Sequence, residues 1–182
     1  MAGALAVLSA TLMGAAVDGA HAQVEPPPVA QCSSIPMPCP QSDGKLKLDV
    51  VRRTLSWKLT TRGVDIPDVA NPAVDAGYDL CIYDASDTLV VATGVPAGGV
   101  CEGGFPCWRA RPWGFQYRDR TGTNGGLTKI LLRASGRRDR FTVTGAGAFL
   151  PLPVEPPALP LKVQLVRTNP LACWTSIATK LP

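Results

Sequence analysis

Apolar and polar side chains alternate with period two through most of the chain from Lys45 to Thr179, and this constrains the fold more than any other feature. Side chains on a strand point alternately to opposite faces, so such runs build a sheet with one face buried. Leu46, Leu48 and Val50 alternate with Lys45, Lys47 and Asp49, then Leu55, Trp57 and Leu59 with Ser56, Lys58 and Thr60. The apolar parity changes from even to odd between them, which places a turn or bulge at Val51–Arg53. Further runs are Tyr78–Ile82, Leu89–Val95, Trp113–Tyr117, Leu127–Arg133, Phe141–Val143, Leu161–Leu165 and Cys173–Thr179. Turn signals such as Thr121-Gly122-Thr123-Asn124-Gly125-Gly126 separate them. The expectation is an all-β chain: an antiparallel β-sandwich, Ig-like or jelly-roll-like, of about nine short strands stabilised by disulfides.

Proline clusters frame this region. Residues 23–44 form a Pro-rich N-terminal stretch that reads as an extended tail, and residues 45–182 form the sandwich domain. A second cluster, Pro151–Pro160, reads as a stiff connection without ladder hydrogen bonds at its proline nitrogens. Residues 1–22 have the pattern of a secretory signal peptide. Ala4–Val17 is apolar and uncharged, and Ala20-His21-Ala22 is a cleavage signal, although no Lys or Arg precedes the run. The run is shorter than the ~20 residues that span a bilayer, and no later segment approaches that length. The expected location is secreted, periplasmic or at the cell surface, with no membrane span.

Cleavage after Ala22 would remove the chain's single histidine and Asp18 while keeping all 18 Lys and Arg and all six Cys. The chain as given, with net charge +4, would become more basic still. Without an imidazole, Ser-His-Asp, Cys-His and His-ligated zinc chemistry are excluded for that product. The six cysteines therefore read as a disulfide framework, with no cofactor and no metal. Sequence proximity favours Cys32–Cys39 and Cys101–Cys107, leaving Cys81 for Cys173. On chain entropy, the long Cys81–Cys173 loop would contribute about 4.6 kcal/mol and the Cys101–Cys107 loop about 2.4 kcal/mol.

The segment Cys107–Arg118 holds the best ligand-binding candidates: Trp108, Arg109 and Arg111. Aromatic faces stack on sugars while guanidinium groups bond hydroxyls and anions. Trp113, Phe115 and Tyr117 share one parity and read as core, and Trp108, of opposite parity, reads as the exposed ring. Asp79, Asp84, Asp87, Glu102 and Asp119 are the carboxylates a glycosidase-like mechanism could use. Asp at a turn ordinarily caps the turn, so no catalytic residue is assigned. Asp119–Gly125 carries too little charge for a calcium loop and reads as a hairpin turn. Arg133, Arg137, Arg138 and Arg140 cluster around another turn, fitting either a solvated hairpin tip or an anionic partner.

The motifs Tyr78-Asp79-Leu80-Cys81-Ile82-Tyr83-Asp84, Val95-Pro96-Ala97-Gly98-Gly99-Val100-Cys101, Pro106-Cys107-Trp108 and Cys173-Trp174 run in this order along the chain. So ordered, with Gly114–Asp119 and Val163-Gln164-Leu165, the chain resembles a recurrent Cys-bearing β domain of uncharacterised secreted bacterial proteins. The likeness spans about residues 44–179, outside which Cys32 and Cys39 fall. It implies the fold and export, and it adds no catalytic residue. The functional expectation is an exported non-enzymatic module binding carbohydrate or another surface protein, not nucleic acid. A His-free, carboxylate-dependent hydrolase and a purely structural module of surface assemblies are the alternatives.

Overall fold

Each alternating run becomes a strand in the computed structural model, which describes residues 30–181. The signal-peptide reading of residues 1–22, and the first residues of the Pro-rich stretch, lie outside the described residues. β1 (Asp43–Asp49) and β2 (Thr54–Thr61) form a hairpin, followed by β3 (Tyr78–Tyr83) and β4 (Leu89–Val95). A meander follows: β5 (Trp108–Arg111), β6 (Gly114–Arg118), β7 (Leu127–Arg133) and β8 (Asp139–Ala146). β9 (Leu161–Thr168) and β10 (Leu171–Ala178) form a last hairpin. Among the described residues there are also two short 3₁₀ turns, Ile66–Val69 and Glu102–Gly104.

All strand pairs are antiparallel, in two sheets ordered β1-β2-β8-β7-β6-β5 and β10-β9-β3-β4. The chain thus alternates between sheets, and the Pro151–Pro160 cluster is one of the crossings, anchored by buried Leu150 and Leu152. The sheets bury Leu46, Leu55, Trp57, Leu59, Ile130, Tyr117 and Phe141 against Tyr78, Leu80, Ile82, Val163, Leu165 and Trp174. Trp57 Nε1 donates to Ser176 Oγ at 2.9 Å across the core, and Phe141 meets Trp174 edge-on at 4.9 Å. The parity change between the first two runs is a register effect. Leu46 opposes Trp57 and Leu48 opposes Leu55, and opposed residues of an antiparallel pair share a face.

The two outer faces differ sharply. From Ala30 onward the Pro-rich segment lies along the outer face of the four-stranded sheet and is stitched to it. Gln164 holds Met37 at both backbone groups: its Oε1 accepts from Met37 N at 3.0 Å and its Nε2 donates to Met37 O at 2.7 Å. Tyr83 Oη donates to Ser33 O, and Gln31 N donates to Asp79. Cys81, Tyr83 and Val166 form a small second core beneath Cys32, Met37, Leu89 and Cys173. Ser42 N and Thr175 N exchange hydrogen bonds with Thr175 O and Pro40 O, covering the free edge of β10 before the chain enters β1.

The strap corrects the expected disulfide pairing. The bridges are Cys32–Cys81, Cys39–Cys173 and Cys101–Cys107, so only the last of the three expected pairs is present. Cys81 and Cys173 do face the same way, but β9 lies between their strands. Two strand spacings are about 9.6 Å, beyond the ~7 Å Cα reach of a disulfide. Each therefore bonds upward to the strap instead of sideways to the other. Sequence proximity is a poor guide because the Cys32–Cys39 segment crosses β9, which sets Cys32 over β3 and Cys39 over β10.

Beneath the strap, Asp79 is 5% exposed and its carboxylate accepts from Gln31 N at 2.8 Å. The neighbouring Gly94 leaves it room, since a Cβ there would collide with the carboxylate. Burial pushes the Asp79 pKa up to about 6, with the Gln31 N–H opposing. A raised carboxyl pKa means the folded chain holds the proton more tightly than the unfolded one. Its stabilising contribution is complete below about pH 4 and is lost as pH rises through about 6. Asp79→Asn keeps the acceptor and removes the ionisation. Its unfolding free energy from urea melts should match the wild type at pH 4 and exceed it at pH 7.5 by about 3 kcal/mol. A pH-independent difference would contradict this assignment.

Candidate functional site

The expected sugar-stacking ring is not at the surface. Trp108 is only 2% exposed, packs on Tyr78 (5.7 Å) and Tyr117 (5.2 Å, edge-on), and donates from Nε1 to Pro96 O at 3.0 Å. The reason is the β5–β6 hairpin. Trp108 opposes Tyr117 in register, so an even residue on β5 shares the inward face of the odd residues on β6. The same parity reversal operates in the first hairpin. Phe115 and Tyr117 are core, whereas Trp113, at the turn, is half-buried under the Arg133 guanidinium at 4.7 Å.

Turning Trp108 inward turns Arg109 and Arg111 outward, and both are exposed. Arg111 Nε donates to Gln116 Oε1 at 3.3 Å. Arg109 leans over the Phe105 ring at 5.7 Å and lines a cleft of about 380 Å³ together with Arg118 and Arg120. The opposite wall is the Cys101–Cys107 loop, contributing Glu102, Gly103, Phe105 and Pro106. The disulfide and the Cys101 N to Phe105 O hydrogen bond (2.8 Å) fix that loop, whose turn carries positive φ at Gly103 and Gly104. Phe105, 61% exposed, therefore stands at the rim as a rigidly held aromatic face.

The cleft's electrostatics are one-sided. Three guanidinium groups face one carboxylate, Glu102. Among the described residues the ion pairs are Arg52–Asp49 and Lys162–Asp87, so none of these arginines has an acid partner within 4.0 Å. Guanidinium groups converging on a void suit a carboxylate, sulfate or phosphate, which they can hold through paired N–H donors. The exposed Phe105 face suits the apolar C–H face of a sugar ring.

The candidate carboxylates do not assemble there. Asp84 caps its own turn, accepting from Ser86 N (2.8 Å) and Thr88 N (3.0 Å), and Asp87 pairs with Lys162 at 2.7 Å. Asp119 is buried among its own turn residues, accepting from Thr121 Oγ1 (2.6 Å) and Thr123 Oγ1 (3.1 Å). Burial alone would raise its carboxyl, but these bonds and the Thr121 and Gly122 backbone N–H groups outweigh burial and hold it below the usual range. Asp79 and Asp75 line a separate cavity of about 230 Å³ beside the strap, where Asp79 is already bonded to Gln31.

Sequence reading found Arg109 but missed Phe105, Arg118 and Arg120. Arg118 and Arg120 were legible as outward positions from the parity of Tyr117. Nothing in their spacing shows that the 101–107 loop folds back beside them. Comparison with protein-family models, curated proteins and solved structures gives no match for this chain. Fold and cleft together describe a disulfide-framed β-sandwich with a cationic, aromatic-rimmed surface site.

Proposed function

We propose that the protein is an exported, non-enzymatic module that binds an acidic saccharide in the cleft at the Cys101–Cys107 loop. The observation that carries this reading is the set of three arginines without acid partners, gathered around the exposed Phe105. Export is supported by the leader pattern of residues 1–22 and by three disulfides, which persist in oxidising compartments. No helix among the described residues is long and apolar enough to cross a membrane. A carboxylate-dependent hydrolase would need a second carboxyl across the cleft from Glu102, and none of the other candidates lines it.

Calorimetric titration of residues 23–182 with trigalacturonate, against neutral maltotriose, tests the proposal. Trigalacturonate should bind at least tenfold more tightly. Arg118→Gln should weaken that binding by about tenfold, the equivalent of one charged hydrogen-bonding contact. Equal binding of the two sugars, or an Arg118→Gln variant with unchanged affinity, would sink the proposal.

A further inference from the structure

The cleft lies at one side of a much larger charged surface. On the six-stranded sheet, residues opposite the core-facing set form rows that can be followed from strand to strand. One row runs Lys45, Lys58, Thr142, Leu131, Gln116, Arg109. The next runs Asp43, Thr60, Arg140, Arg133, Gly114, Arg111, and the third runs Lys47, Ser56, Thr144, Lys129, Arg118. The lysines and arginines on these rows are all exposed, and the only acids are Asp43 and, beyond the third row, Asp49, both on edge strand β1.

Three like-charge pairs stand directly opposite one another: Lys45 with Lys58, Arg133 with Arg140, and Arg118 with Lys129. Opposed side chains on neighbouring strands have Cβ atoms about 5 Å apart, where like charges are destabilising. A chain selected for stability alone would alternate signs at these positions, as surface sheets do. No described acid lies within 4.0 Å of any of these cations. Lys45, Lys58, Lys129, Arg133 and Arg140, with Asp43 as the one acid, line an open trough of about 560 Å³.

We propose that this face is the track for a linear polyanionic polysaccharide, with the Arg109–Arg118–Arg120 cleft holding one part of the chain. The identity of the occupant rests on the saccharide reading of the cleft. Six strands at about 4.8 Å spacing give a width of about 24 Å, enough for several sugar units. Ser56, Thr60, Thr144 and Gln116 stand between the cations and supply hydroxyl and amide partners for sugar hydroxyls. The strands of this face carry none of the exposed large apolar side chains, which a membrane-inserting surface would need in number. Its aromatic rings are Phe105 at the cleft rim and half-buried Trp113 under Arg133, not the row of exposed rings on which single-stranded nucleic acid stacks.

Binding of size-fractionated heparin oligosaccharides to residues 23–182 tests the track. At 100 mM salt, a dodecasaccharide should bind at least 30-fold more tightly than a disaccharide, and rising salt should erode that gain steeply. The Lys58→Gln/Arg140→Gln double variant should lose at least tenfold for the dodecasaccharide. It should leave the disaccharide unchanged and keep or raise the thermal midpoint, because each substitution removes a like-charge contact. Affinity independent of length, or a double variant indistinguishable from wild type, overturns the track while leaving the cleft reading intact. If disaccharide affinity does not respond to Arg118→Gln but the length dependence persists, the cleft reading fails and the track stands. Tighter binding to duplex DNA or to anionic vesicles than to the dodecasaccharide overturns the choice of polysaccharide.

Discussion

Replacing Cys39 and Cys173 together by serine is expected to lower the free energy of unfolding by about 5 kcal/mol, the largest loss for any single bridge. The Cys39–Cys173 bridge joins residues 134 apart, against 49 for Cys32–Cys81 and 6 for Cys101–Cys107. Loop-closure entropy rises with the logarithm of loop length, so the short loop is worth roughly 2 kcal/mol and the longest about twice that. Chain entropy is only part of the effect. Without this bridge the strap can peel from β10, exposing the strand edge that Pro40 and Ser42 cover and wetting the patch of Cys81, Tyr83 and Val166. A Cys101→Ser/Cys107→Ser variant should lose only roughly 2 kcal/mol, stay folded and lose binding, since that bridge shapes the cleft wall. Urea unfolding of both variants, with the slope fitted for each because losing a crosslink expands the unfolded chain, measures the difference. A loss below about 1 kcal/mol for the Cys39/Cys173 variant would show that the strap is an ornament on an independently stable sandwich.

Trp108→Ala should destabilise the fold by about 3–5 kcal/mol, the range for truncating a large buried aromatic side chain. The substitution empties the space between Tyr78 and Tyr117 at the junction of the two sheets and orphans Pro96 O. Any loss of ligand by that variant would therefore be a loss of folded protein. Phe105→Ala is the contrasting case. Its ring is 61% exposed on a disulfide-pinned loop, so stability should move by less than about 0.5–1 kcal/mol while saccharide affinity falls severalfold. Thermal denaturation and titration on the same two variants separate the roles. A Trp108→Ala protein with a near-native midpoint and no affinity would restore Trp108 to the binding surface and contradict its burial.

The strands were legible because a half-buried strand writes its geometry into the sequence with period two. Leu89–Val95 and Leu127–Arg133 are strands at those bounds, and the Val51–Arg53 turn sits where the parity changes. β5 was hidden, since Trp108–Arg111 is too short to show a period of its own, and the Trp108 error followed from it. Parity compares two residues only within one strand, and a hairpin turn resets it. The disulfide pairing was hidden for a different reason. Nothing local distinguishes a Pro-rich linker from a Pro-rich strap, and the difference lies in distant partners such as Gln164 and Tyr83. The run Leu161–Leu165 did hold a clue, since Gln164 stands at a position that is fully buried rather than solvated. The cleft was half legible: Arg109 was named, but its companions come from the 101–107 loop and from β6 and beyond.

What emerges is a sandwich with one outer face closed and the other open. The strap and two disulfides occupy the four-stranded sheet, while the six-stranded sheet presents rows of lysine and arginine whose mutual repulsion costs stability. Amide chemical-shift mapping of residues 23–182 during titration with an acidic oligosaccharide separates the two faces. Shifts are expected at Phe105, Arg109, Arg118, Lys129, Arg133, Arg140 and Lys58, with Met37, Cys81, Tyr83 and Gln164 unmoved. Shifts confined to the strap and β3, β9 and β10, with the six-stranded sheet silent, would contradict it.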